Sequence, residues 1–480
     1  MVAVISQQSF LATRRGRLTL GLLCAVAFLD FVDASIVNVA LPSIRRDLHF
    51  SVQNLQWVLS GYLLTYGGFM LLGGRAADLL GRRRVLVAGT AIFAVSSLAA
   101  GLAGSSGVLI GARLVQGFGS ALMLPAALSL LTTTFREGAD RNKAFGAWGG
   151  MAGLANALGV VLGGLISQGP GWRWVFFVNP PVCVLVLIAT YRLIRPEPRP
   201  ARVANFDLRG AILATSGMLL LVFALVEAPG HGWGSARTVG ELAGAFVLLA
   251  AFLVNEQFNS NPLAPLSIFR IKGLAAADST QLIAIAGFYS MFFFVTLYMQ
   301  NVLGYSQIKA GLAYVPLCAG VGIAAGICSK VLTRTGSRAV IVAGLVVAAG
   351  GLYWLSRIPV HGSYLSDLFP GSMIMSVSLG AVFVAVTVAA NAGVPSDKAG
   401  LAAALLNTSQ QVGGALGLAI FSAVATSHTN HLLNTHETPA NALTSGFGRA
   451  LLVGSIFLLA AAVIALRTSN TRGETEGLGP

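Results

Sequence analysis

The sequence predicts an all-α membrane protein of about fourteen transmembrane helices, and three observations carry that prediction. Of 480 residues, 55% are hydrophobic and only 10% charged, whereas soluble domains carry about 25% charged residues. Apolar runs long enough to cross a bilayer, about 20 residues each, recur along the whole chain. The cationic residues gather in the short connectors between those runs.

Taken in order, the first run, 18–40, follows Arg14, Arg15 and Arg17 and contains Asp30 and Asp33. Its cationic flank looks like a signal peptide, but the apolar stretch continues past any cleavage site, so it is read as a helix. Runs 56–76 and 83–103 flank a Gly- and Arg-rich connector. Run 106–132 contains Arg113, run 142–167 is rich in glycine, and run 173–194 opens on aromatic residues. A Pro- and Arg-rich stretch around 195–207 reads as a linker. Beyond it, 208–227 and 236–256 form a close pair. The remaining runs are 274–302, 308–331, 337–356, 365–391, 398–426 and 444–467. The 57 glycines are too many for water-soluble helices but suit close packing in lipid. Three segments follow: 1–195, 196–272 and 273–480.

The formal net charge is +14, and its distribution decides what it means. With the N-terminus cytoplasmic, 23 of the 31 Lys and Arg fall in inner connectors and seven in outer ones; Arg113 alone lies inside a run. That bias predicts a multi-pass protein of the cell membrane with both termini cytoplasmic, and it argues against nucleic acid as the partner. Cys24, Cys183, Cys318 and Cys328 lie in apolar runs without disulfide or metal spacing. A phosphate loop of Walker type is missing, which excludes a self-contained ATP-driven pump.

Four stretches carry chemistry. GRAADLLGRRRVL, from Gly74, sets Asp78, Gly81, Arg82 and Arg83 in a tight inner connector. Arg113, in LIGARLVQGFGSA, needs an interior partner, because an unpaired arginine in lipid costs at least about 2.5–3.5 kcal/mol. Asp30 and Asp33 are three residues apart and share a helix face, which makes them a candidate coupled pair for proton exchange. Gly159, Gly163 and Gly164, in GLANALGVVLGG, make a close-packing face. The first three have a plainer alternative: orientation anchors for the loop arginines, structural pairing for Arg113, backbone-bonded carboxylates for the aspartates. Gln116, Asn156, Asn407, Gln410 and Gln411 are polar residues that line a cavity or join helices. Phe288, Tyr289, Met291, Phe292 and Phe293 offer an apolar surface for substrate, or plain packing. Glu227, Glu241 and Asp278 are expected at run ends within reach of water. His428, His431 and His436 are expected in a polar loop.

These stretches resemble the major facilitator superfamily. GRAADLLGRRRVL is similar to its signature loop, and GICSKVLTRTGSRAVI, with Lys330, Arg334, Gly336 and Arg338, is similar to the partial repeat without the Asp. LDFVDASIVNVALP, Arg113 with Gln116, Gly117 and Gly119, WRWVFFVNPP, FDLRGAIL, NPLAPLSIFR and LLNTSQQVGGALGLAI resemble the fourteen-span drug:proton antiporter branch. The glycine motif at 153–164 resembles that branch too, with Val160 where proline is usual. The resemblance implies two six-helix halves plus two inserted central helices. It also implies proton coupling at Asp33 and Arg113, with Asp30 outside the core of the motif and joined to them by its shared helix face, a proton gradient in place of any cofactor, and a monomer exporting small amphipathic drugs or antibiotics. Transport of a specific metabolite, amino acid or lipid stays open beside it, as does a non-transporting receptor. The buried titratable groups speak against a receptor, and no catalytic set at one membrane depth supports an enzyme.

Overall fold

A backbone in lipid must satisfy its own hydrogen bonds, and each apolar run becomes a helix. The computed structural model describes residues 10–135, 139–195, 207–260, 262–263, 266–394 and 399–471. Among these, fourteen long helices follow one another: Arg14–Asp47 (α1), Trp57–Leu80 (α2), Arg82–Gly101 (α3), Ser106–Thr134 (α4), Ala139–Gln168 (α5) and Asn179–Leu193 (α6). Next come Leu208–His231 (α7), Ala236–Phe258 (α8), Leu274–Asn301 (α9), Gln307–Thr335 (α10), Ser337–Leu355 (α11), Phe369–Asn391 (α12), Ala399–Asn434 (α13) and Pro439–Ala465 (α14). Twelve stretches among the described residues are long and apolar enough to cross a membrane. Of the other two long helices, α2 carries Ser60, Tyr62, Thr65 and Tyr66, and α5 shows the apolar stretch Leu158–Gln168 among its described residues. The linker expected around 195–207 lies mostly outside the described residues.

Short polar side chains start many of the helices. Thr13, Ser105, Asp207, Ser235, Ser306 and Thr438 each accept a hydrogen bond from a backbone N–H of the first turn, the usual role of an N-cap. Glycine makes two tighter joints. Gly81 (φ 95°) joins α2 to α3, and Gly336 (φ 82°) joins α10 to α11. Both sit in a backbone region that disfavours a Cβ.

Helices α1–α6 pack among themselves, and so do α9–α14, while α2 meets α13 and α5 meets α10 across the two groups. The α7 helix rests on both α2 and α13, and α8 packs on α7. Several hydrogen bonds between the two groups gather toward the end of the bundle that carries Ser43 and Gln307. The Asn38 amide reaches Thr296 Oγ1 at 3.4 Å, and the Gln300 amide donates to the Val39 carbonyl at 3.1 Å. The Gln307 amide donates to Ser43 Oγ, and the Ile308 N–H donates to Gln168 Oε1 at 3.4 Å.

Candidate functional site

Arg113 has no exposed surface, and neither has Asp33. Its Nη1 lies 2.6 Å from Asp33 Oδ2 and also donates to Gln116 Oε1 at 2.7 Å, while Nε donates to the Val58 carbonyl at 2.9 Å. Gln116 sits one turn on from Arg113 along α4, which lets it close the ring by donating Nε2–H to Asp33 Oδ1 at 2.9 Å. Asn179, at the start of α6, donates to the same oxygen at 2.7 Å and to Ser97 Oγ at 3.0 Å. Arg113 Nη2 has no hydrogen-bond partner. The guanidinium carbon sits 4.3 Å from the Tyr62 ring centroid, where the π face offsets part of the missing bond. Four helices thus hold one ion pair.

Asp30, one turn earlier on α1, has a separate set of partners. Tyr62 donates to its Oδ1 at 2.7 Å and Tyr66 to its Oδ2 at 3.3 Å. A phenol has one proton to give. With Tyr62 committed to Asp30, the 2.8 Å contact between Tyr62 and Ser120 is donated by the Ser120 hydroxyl. Next to Tyr66 on α2, Gly67 packs against Gln411 of α13, whose Cβ would lie 2.9 Å from a Cβ on the glycine. The Asp30 carboxyl is therefore bonded to the helix that meets the other group, whereas Asp33 is paired with α4 and α6.

The two Gly–Arg connectors repeat. Arg83, two residues after Gly81, donates to the Tyr191 carbonyl near the end of α6 at 3.3 Å, with its guanidinium 4.9 Å from the Tyr191 ring centroid. Arg338, two residues after Gly336, donates to the Thr468 carbonyl just beyond α14 at 2.6 Å. In each group an arginine pins the last helix to a glycine joint, although the second connector lacks the aspartate.

The sequence profile of the Major Facilitator Superfamily matches residues 23–418. The chain belongs to the major facilitator superfamily. Among superfamily relatives, the puromycin resistance protein of Streptomyces alboniger is 37% identical over 459 residues, 94% of this chain and 90% of its own. The cephamycin export protein of Amycolatopsis lactamdurans is 38% identical over 450 residues, 92% and 90% of the two chains. In fold, an inward-facing, occupied bacterial homologue of the lysosomal transporter Spinster matches with a TM-score of 0.68 at 17% identity, over 95% of this chain and 97% of that one. An autoinhibited POT family peptide transporter matches with 0.70 at 15% identity, over 98% and 99%.

The superfamily motifs fall where they have physical work. A Cβ on Gly163 would lie 2.7 Å from the Ile36 carbonyl oxygen, and one on Gly159 would lie 3.0 Å from that of Val32. Gly164 faces the other way, toward the Gln307 carbonyl at 2.7 Å. The glycines therefore seat α5 against α1 on one side and α10 on the other, and α5 continues past Val160 without a break. In the signature loop, Gly74 lies within α2 and Gly81 is the joint, and Arg82 and Arg83 open α3. The side chains of Asp78 and Asn156 lie outside the described residues.

Several placements differ from the sequence expectation. Gln116, a candidate cavity residue, is fully buried in the Asp33 cluster. Asn407 donates back to the Ala403 carbonyl of its own helix, and Gln410 keeps partial exposure. Phe288, Met291 and Phe293 are packed core, leaving Tyr289 and Phe292 partly accessible. Asp278 is 5% exposed and neither carboxyl oxygen has a hydrogen-bond partner; packing around the start of α9 covers it, so water at a helix end does not reach it. Glu227 faces His231 at 3.6 Å, and Glu241 pairs with Arg237 at 2.9 Å, both near helix ends. His428 and His431 lie on α13, which runs two turns beyond its apolar stretch; only His436 follows the helix. Tyr62, Tyr66, Ser120 and Asn179 were not singled out as site residues. Their signal was polar groups placed inside apolar helices, with Tyr62 and Tyr66 one turn apart.

Proposed function

We propose that the protein is a proton-coupled exporter of small amphipathic compounds, drugs or antibiotics, working by alternating access in the cell membrane with both termini cytoplasmic. The observation that carries this reading is the Asp33–Arg113 pair, fully buried and fed by Gln116 and Asn179, with Asp30 one helical turn away. Charge buried at such cost in lipid is a functional group by default. Resistance and export proteins among the relatives support the substrate class.

A proton arriving from outside binds Asp30 or Asp33 and replaces an acceptor-only carboxylate with a group that also donates. On Asp30 this changes its bonds with Tyr62 and Tyr66 of α2, the helix that packs on α13 at the junction between halves. On Asp33 it removes the counter-charge of Arg113 and loosens α4 from α1. The membrane potential supplies about 2.3 kcal/mol per charge per 100 mV, and the pH gradient adds to it. Tyr289 and Phe292 give the substrate an apolar wall. Hydrogen bonds gathered at the Ser43 end, which the charge bias assigns to the outside, correspond to a state closed outward. The protein acts as a monomer.

The test is substrate uptake into everted membrane vesicles energised by a proton gradient. Asp33→Asn abolishes uptake at equal protein level, and a protonophore does the same to the natural chain. Undiminished energised uptake by Asp33→Asn would overturn the coupling assignment.

A further inference from the structure

At the end of the bundle where the two halves are hydrogen-bonded together, α11, α13 and α14 enclose a cleft of about 420 Å³. Gly448 lines it: a Cβ there would lie 2.6 Å from the Ser356 carbonyl, so α14 approaches the end of α11 as closely as the backbone allows. Arg357 and Arg449 line the cleft, both exposed, together with His428, and none of its lining residues is acidic. Glu437 stands outside the lining and accepts a hydrogen bond from the Asn441 amide at 3.2 Å. The Thr444 hydroxyl also lines the cleft; Thr444 is 6% exposed and its oxygen has no partner. Arg357 is held by the Tyr353 hydroxyl, with its guanidinium 5.0 Å from the Tyr353 ring centroid. His428 is oriented by Ser445 Oγ at 3.0 Å.

Two guanidinium groups, an imidazole and an orphaned hydroxyl around one cavity make a receptor for an oxyanion, since arginine pairs with phosphate through its planar fork. The surroundings choose the source. Tyr353 and Trp354 are 45% and 51% exposed at the end of a spanning helix, the depth at which such rings sit in lipid headgroups. Ile358 and Leu452 add apolar wall beneath the cations. We infer that this cleft binds the phosphate of an anionic phospholipid headgroup, held by Arg357 and Arg449 with the Thr444 hydroxyl as an added partner.

The experiment measures thermal stabilisation of the purified full-length protein in detergent on titration with phosphatidylglycerol, phosphatidylcholine or soluble glycerol phosphate. Phosphatidylglycerol raises the midpoint most. The double variant Arg357→Gln/Arg449→Gln binds it about tenfold or more weakly, with an unchanged midpoint in the absence of lipid. Arg449→Lys, which keeps the charge but not the planar fork, binds it more weakly than the natural chain and more tightly than the double variant. An equal response to phosphatidylcholine, or a phosphatidylglycerol response that survives in the double variant, would overturn the inference. Stabilisation by glycerol phosphate alone, as strong as by the lipid, would replace the lipid with a soluble phosphate. Should the double variant be unstable, Thr444→Val must still weaken phosphatidylglycerol binding without lowering the lipid-free midpoint.

Discussion

Arg113 meets three acceptors with three different geometries, and this is why its charge alone does not define its role. Lysine in its place keeps the charge but cannot reach Asp33, Gln116 and the Val58 carbonyl together. Arg113→Lys should therefore lower energised transport at least about tenfold, the effect of losing one charged hydrogen bond, at unchanged expression; vesicle uptake checks this. Removing one member of a buried pair outright costs about 3–5 kcal/mol, so Arg113→Ala should lower the amount of folded protein as well. Tyr62→Phe takes a 2.7 Å donor from a buried carboxyl. It should reduce the melting midpoint in detergent by an amount equivalent to about 1–3 kcal/mol. Asp33 and Arg113 were legible because a charge inside an apolar run is conspicuous. Their pairing was not, since the partners lie on separate helices and spacing along one chain cannot reveal it. Asp278 misled for the same reason: its position near a helix start was readable, the side chains that cover it were not.

At the scale of the helix, glycine's worth depends on what lies opposite. Gly163→Ala would put a methyl carbon 2.7 Å from a backbone oxygen on α1, and the two helices must move apart. Gly111→Ala on α4 meets nothing within 4 Å and gains up to about 1 kcal/mol of helix propensity. Melting midpoints should fall in the first variant and hold or rise in the second. The start of α7 offers a pH test. Burial pushes the Asp207 carboxyl up, but hydrogen bonds from the Gly210 N–H at 2.9 Å and the Asn255 amide at 2.7 Å outweigh it and hold it below its usual value. A depressed carboxyl stabilises the fold above the ordinary value near 3.9, and that contribution disappears as pH falls through the lower folded value. Asp207→Ala should cost about 1 kcal/mol at neutral pH and progressively less in acid, read by thermal melts across pH. Helix ends were legible to a few residues where hydropathy falls with the helix. They were overrun at α13, where Thr426 to His431 are polar yet helical, because a helix needs only its own backbone bonds to continue into water.

For the whole molecule, the hydrogen bonds that join the halves at the Ser43 end are the contact that the proposed alternating access has to break. Paired cysteines at Ser43 and Gln307, in a chain whose Cys24, Cys183, Cys318 and Cys328 are replaced by alanine, should cross-link on oxidation and halt transport. Reduction should restore it; continued transport by the cross-linked protein would show that this end need not open. The two halves were legible in the repeated Gly–Arg connectors, since Gly81 with Arg83 and Gly336 with Arg338 fill equivalent places. Where the inserted pair docks was not, because α7 and α8 are apolar on most faces and nothing in such a pattern names a neighbour.

That docking makes the molecule one-sided toward its solvent. Apart from the contacts of α1 with α9 and α10, two broad junctions join the halves, α2 with α13 and α5 with α10. The first is sheathed by α7, where Thr215 fills the notch left by Gly68, and α8 lies outside it. The second shows Leu158, Leu165, Leu312 and Val315 to the outside. Acyl chains can wet one junction directly, while at the other they touch only the sheath. The bilayer thus meets a protein with a back and a front.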